Sequence, residues 1–174
     1  MMSQSKVDFQ KIILGTANFG QQYGATNSQT LNDYEVFEIL DYAQNLGITT
    51  LDTANVYGRS EEIIGKFHKS TGETFKINSK LVNIENLTFV ENMRQIENTI
   101  ERLNIDSLEN LLFHNINAIN SDKPLDVFIE KVLESKYVKE SVGVSIYSFQ
   151  DSLLANSKYS KLFFSIGLDV VGIF

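Results

Sequence analysis

Two hydrophobic rhythms take turns along this chain. One repeats every second residue and the other every three to four, which is the signature of strands alternating with helices. Ile48 to Thr53 reads as a strand, with Thr49, Leu51 and Thr53 alternating against Thr50 and Asp52. Asn55 and Gly58 mark the turn that follows. Ser60 then suits a helix N-cap, and Glu61 and Glu62 suit a first turn where the macrodipole favours acids. Upstream, Lys11 to Gly20 (KIILGTANFG) reads as strand one and Gly20 to Asn27 as a loop. Asn32 or Asp33 can cap a helix whose apolar face is Val36, Ile39, Leu40 and Ala43, closed by Gly47.

The alternation continues downstream. Phe75 to Leu81 reads as strand three, and a helix follows from about Thr88 to Leu103 with Val90, Met93, Ile96, Ile100 and Leu103 on one face. Leu108 to Asn115 is strand four. Pro124 stands near the start of a helix reaching about Tyr137, where a missing N–H is tolerated. Val142 to Ser148 is strand five, Phe149 to about Ser165 a helix ended by Gly167, and Leu168 to Phe174 a sixth strand. Short connections between alternating elements predict a parallel sheet with helical crossovers. No repeat, low-complexity stretch or linker divides the chain, so residues 1–174 are read as one domain.

Composition narrows the function classes. The chain has 174 residues, 43% hydrophobic and 21% charged, with a net charge of -7. An acidic balance argues against a nucleic-acid partner, which needs a basic face for phosphates. There are no cysteines, so disulfides and thiolate chemistry are excluded. No apolar leader opens the sequence and no run of about 18 apolar residues occurs, so no membrane partner is expected and the location is read as cytoplasmic. The G-x-G-x-x-G fingerprint is absent from the strand-to-helix turns. Two histidines far apart, without cysteines, give no metal site. His68, on the helix after Lys66, is read as a surface residue.

Four residues of catalytic type fall at or just beyond the C-terminal ends of three consecutive strands: Asp52, Tyr57, Lys80 and His114. Taken singly, each has a plainer reading as a turn, packing, solvated or structural residue. Together they sit where a parallel α/β barrel places its chemistry. The stretch LDTANVYGRSEEIIG, with its Asp, its Tyr and its Gly-x-Ser-Glu helix start, resembles the signature of the aldo-keto reductases. LGTANFG at residues 14–20, NSKL at 78–81 and LLFHN at 111–115 are similar to further segments of that family.

The resemblance implies a (β/α)8 TIM barrel and NADPH-dependent reduction of a small-molecule carbonyl, or the reverse alcohol oxidation. It implies Tyr57 as proton donor, Lys80 and Asp52 as the pair that tunes it, and His114 as the residue that orients the carbonyl. It also offers Thr16, Asp52 and Ser145 to the cofactor. Elementary chemistry agrees with these roles. A free tyrosine has a pKa of about 10 and holds its proton at neutral pH. A nearby ammonium favours the phenolate, a carboxylate keeps that ammonium charged, and a histidine can donate to an oxygen gaining negative charge.

Such a barrel usually needs about 250 residues, so the expectation is an incomplete barrel of about six β/α units, truncated at its C-terminus. Gly172 stands where the family's strand six often carries a glutamine. Open sheet edges would invite self-association, which leaves a noncatalytic remnant that binds another subunit as the alternative. Another barrel enzyme, such as a sugar-phosphate isomerase or lyase, is a third reading. The N-terminal segment resembles members associated with sugar metabolism, which points to a sugar-related substrate.

Overall fold

Residues 7–22, 30–84, 86–114 and 125–144 are described in the computed structural model of the chain. Five strands form one sheet: β1 (Ile13–Gly15), β2 (Thr50–Asp52), β3 (Lys76–Leu81), β4 (Leu108–Phe113) and β5 (Val138–Val144). Five helices accompany them: α1 (Ala17–Gly20), α2 (Asp33–Leu46), α3 (Ser60–Thr71), α4 (Phe89–Leu103) and α5 (Leu125–Glu134). All neighbouring strands are parallel and follow chain order, β1-β2-β3-β4-β5. The described strands have no reversal of order, so the sheet winds one way, as in a barrel, and lacks the switch point of a doubly wound sheet. None of the described helices is long and apolar enough to cross a membrane.

Local chemistry fixes the helix ends. Asn32 accepts the Glu35 N–H at 3.0 Å while the Glu35 carboxylate accepts the Asn32 N–H at 2.8 Å, a reciprocal cap for α2. Thr88 and Glu91 repeat the device at α4. Gly47 ends α2 with φ +88°, a conformation glycine adopts without penalty.

Alternation along β3 separates two faces. Ile77, Ser79 and Leu81 face the helices: the Ser79 hydroxyl donates to the Glu61 carboxylate of α3 at 3.2 Å. Asn78 and Lys80 face the other way, into the sheet's inner side. There Asn110 donates to Asn78 at 2.8 Å and Ser141 donates to Asn110 at 2.6 Å, a polar belt across β3, β4 and β5. Between sheet and helices lies the apolar core, including Leu40, Leu51, Ile63, Ile77, Ile96, Leu103 and Leu111. Helices α3 and α4 cross tightly. A Cβ on Gly65 would lie 1.9 Å from the Arg102 carbonyl oxygen, so only glycine fits there. Arg102 in turn reaches the buried Glu61 carboxylate at 2.6 Å.

Four expectations are corrected. Strand one is shorter than Lys11–Gly20: a 3-10 turn at Phe9–Lys11 precedes it and α1 follows, because Phe19 must turn inward to be buried. Ser60 is not the N-cap. Arg59 holds that position, and the buried Ser60 hydroxyl lies 3.0 Å from Thr16 Oγ1 and 3.1 Å from the Thr16 carbonyl oxygen. Strand five starts at Val138 rather than Val142. Exposed Lys139 and Glu140 are tolerated in it because the pairing with β4 is irregular between Leu108 and Asn110. Ser145 to Ser148, Pro124, the helix from Phe149 and the sixth strand lie outside the described residues.

The fourth correction is His68, which is 1% exposed. Its Nε2 accepts the Phe75 N–H at 3.2 Å, so Nδ1 carries the proton and donates to the Leu103 carbonyl at 2.8 Å. The neutral ring therefore joins the end of α3 to the end of α4 and the start of β3. Burial holds its pKa below the ordinary 6.5, with the Leu103 bond pulling the other way. A depressed histidine pKa means that the unfolded chain takes up a proton the folded one resists. This contribution to stability is present above pH 6.5 and is lost as the pH falls. In urea titrations from about pH 7 to about pH 5, stability is expected to decline, and more steeply than in His68→Phe. That variant should also lose about 1–3 kcal/mol at neutral pH, since Phe75 N–H loses its acceptor. An identical pH slope in the two proteins would contradict this role.

Candidate active site

Each candidate side chain is delivered by a strand end. Asp52 closes β2, Lys80 is the penultimate residue of β3 and His114 directly follows β4. The loop after β2 carries Tyr57. Thr16 N–H donates to the Asp52 carbonyl at 3.0 Å, and Thr53 N–H to the Asn78 carbonyl at 2.9 Å. His114 N–H donates to the Leu81 carbonyl at 2.8 Å. Sheet pairing thus continues past the formal strand ends and places the three residues side by side.

Lys80 is the most constrained of them. Its side chain is 2% exposed, and its ammonium donates to Asp52 Oδ2 and, at 3.1 Å, to the Thr53 carbonyl. An ammonium in such a place needs these partners, because an unpaired buried charge is costly. The Asp52 carboxylate stays about a third exposed, opening on the inner side of the sheet.

Tyr57 is set against this pair. Lys80 Nζ lies 5.3 Å from the centre of its ring, and the His114 ring lies edge-on at 6.3 Å between centroids. Its loop is closed by the Tyr57 N–H bond to the Ala54 carbonyl at 3.0 Å. On the far side the backbone presses on α1: a Cβ on Gly20 would lie 2.1 Å from the Tyr57 carbonyl oxygen. Gly58, at φ +56°, would bring a Cβ within 2.3 Å of the Gly20 carbonyl oxygen. Two glycines let the chain segments touch and hold the tyrosine in place.

Burial pushes the His114 pKa below 6.5, and the Lys80 ammonium pushes it the same way; a backbone hydrogen bond and Asp52 oppose them. His114 is therefore neutral at neutral pH, able to donate one N–H. The set offers a phenol O–H, a fixed cation and a neutral imidazole within one small space, which suits protonation of an oxygen that gains negative charge.

Asp52, Tyr57, Lys80 and His114 are thus brought together as expected from their strand-end positions. Thr16 meets this set through the Asp52 backbone. It is fully buried, and its hydroxyl donates to the Asp52 carbonyl at 3.0 Å while lying against Ser60. Ser145 lies outside the described residues. Asn55 and Gln95, joined at 2.8 Å behind the Tyr57 loop, escaped the sequence reading. Nothing in the sequence pairs a turn asparagine with a helix glutamine 40 positions away.

The aldo/keto reductase family model matches residues 11–153. The aldo-keto reductase str7 of Strobilurus tenacellus is 33% identical over 131 residues, covering 70% of this chain and 36% of that protein. Versiconal hemiacetal acetate reductase of Aspergillus parasiticus is 37% identical over 67 residues, 37% of this chain and 19% of that one. A solved aldo-keto reductase of Pseudomonas aeruginosa superposes with a TM-score of 0.64 at 28% identity, over 76% of this chain and 54% of that one. An aldo-keto reductase of Klebsiella pneumoniae, solved with NADPH, shares the fold with a TM-score of 0.60 at 21% identity, over 87% of this chain and 51% of that one. The chain spans about half the length of these solved structures.

The electrostatics yield a direct check. The His114 ring protons, followed by NMR, should titrate below 6.5. In Lys80→Met the pKa should rise, because a repelling charge is gone while Asp52 remains. An unchanged value in the variant would remove Lys80 from the electrostatics of this histidine.

Proposed function

The chain belongs to the aldo/keto reductase family, and on that premise we propose that it serves NADPH-dependent reduction of an aldehyde or ketone. The observation that carries the proposal is the Lys80 ammonium, fixed by Asp52 and 5.3 Å from the Tyr57 ring. Tyr57 gives its proton to the carbonyl oxygen. Lys80 stabilises the phenolate left behind, and Asp52 keeps Lys80 charged. Neutral His114 donates its N–H to the same oxygen and orients it. NADPH, when bound, supplies the hydride. The donor set fits such a group, since the Asp52 carboxylate opens on the inner side of the sheet although one of its oxygens holds Lys80. Asp52 and Ser145 would hold the cofactor's reactive end. Thr16, offered to the cofactor by the resemblance, would support that end through its bonds to the Asp52 backbone and Ser60. The NADPH in the Klebsiella protein supports this cofactor.

The reading extends to the whole chain: residues 1–174 belong to one aldo-keto reductase domain, cytoplasmic, acting on a small sugar-related carbonyl compound. Self-association through sheet edges left unpaired is part of the same proposal.

Titration of the purified chain with NADPH, followed by nicotinamide fluorescence, should show saturable binding. A panel of aldehydes and ketones should then reveal turnover. Tyr57→Phe should bind NADPH as tightly and lose turnover by about 10²-fold or more. Absent binding by the folded chain, or a Tyr57→Phe variant as active as wild type, would overturn the proposal.

A further inference from the structure

A row of side-chain amides runs from the Tyr57 loop into helix α4. Asn55 Nδ2 donates to Gln95 Oε1 at 2.8 Å. Gln95 Nε2 donates to Asn92 Oδ1 at 3.1 Å and to the Val82 carbonyl at 3.4 Å. Asn92 Nδ2 donates to the Ile84 carbonyl at 3.1 Å, and Asn92 is 5% exposed. The far end sets the polarity of the whole row. A backbone carbonyl only accepts, so Asn92 must turn its nitrogen to Ile84 and its oxygen to Gln95. Gln95 then has only its oxygen to offer, and Asn55 has to donate. The Asn55 Oδ1 left over is buried with no hydrogen-bond partner among the described residues. An unsatisfied acceptor disfavours this placement, so the donated bond to Gln95 is what keeps Asn55 there.

Asn55 is two residues from Thr53, whose carbonyl binds the Lys80 ammonium, and two from Tyr57. The other bond at this point, Asn55 N–H to the Lys80 carbonyl, is long at 3.5 Å. Beyond Tyr57 the loop is fastened separately, by the Gly20–Gly58 contact and the Ser60 hydroxyl. Tyr57 thus lies between two anchors, and Gln95 supplies the side-chain anchor on the strand side. We propose that Gln95, acting through Asn55, is a positioning residue that sets the distance between the Tyr57 phenol and the Lys80 ammonium. The catalytic meaning of that distance rests on the reading of Tyr57 as proton donor; the mechanical role does not.

Two variants test it in the full chain: Gln95→Leu, which removes the acceptor, and Asn55→Asp, which keeps the shape of the side chain and removes the donor. In both, the Tyr57 amide should exchange with solvent about tenfold faster than in wild type, as loss of one hydrogen bond allows. The His68 amide, in the last turn of α3 and away from this loop, should be unaffected. For carbonyl reduction, kcat should fall while KM for NADPH holds. Wild-type protection of the Tyr57 amide in both variants would overturn the proposal, and so would an unchanged kcat. A wild-type chain without reductase activity would sink the proton-donor reading and leave the exchange rates to decide the anchoring. Should Gln95→Leu fail to fold, the near-isosteric Asn55→Asp decides alone.

Discussion

The ion pair between Lys80 and Asp52 is the constraint on which the rest of this structure depends. An ammonium 2% exposed at a strand end is tolerated only with close partners. Those partners are the last side chain of β2 and the Thr53 carbonyl one residue on. The pair therefore dictates the register of two neighbouring strands at their C-terminal ends. It also dictates where the chain leaves the sheet, and so where the Tyr57 loop begins. Thr16, from the next strand over, braces the Asp52 backbone with both its N–H and its hydroxyl.

The same cation sets the character of its neighbours. It lowers the proton affinity of His114 in concert with burial, which keeps the imidazole a neutral donor. It stands beside the Tyr57 ring, where a phenolate would be stabilised. In the proposed reaction, a single charge thus biases two groups toward complementary tasks, one giving a proton and the other a hydrogen bond. The scaffold around it is rigid for reasons unrelated to the chemistry: the Gly65 crossing of α3 and α4, the Glu61–Arg102 pair and the His68 bridge.

Much of this was legible in the sequence where one residue type answers one local need. Asn32, Gly47 and Thr88 mark helix ends through their own backbone chemistry, and the strand-end positions of Asp52, Lys80 and His114 follow from period-two patterns. What escaped the sequence depends on partners distant along it. His68 satisfies groups contributed by Leu103 and Phe75, although its place four residues after Ile64 put it on the buried face of α3. Ser60 looks like a cap and is instead held by Thr16, 44 positions earlier. The run from Lys11 to Gly20 was too short and too uniformly apolar for periodicity to separate a strand from the helix after it. The charged start of β5 hid a strand because an irregular pairing lets Lys139 and Glu140 stay in solvent.

The central claim is that Lys80, held by Asp52, makes Tyr57 an acid. Ionisation of the Tyr57 phenol, followed through its ring-carbon NMR signal and assigned with Tyr57→Phe, tests it most directly. The account predicts ionisation below the ordinary value of about 10 in the wild-type chain, with a shift back upward in Lys80→Met. A Tyr57 that ionises at the ordinary value in both proteins would contradict it.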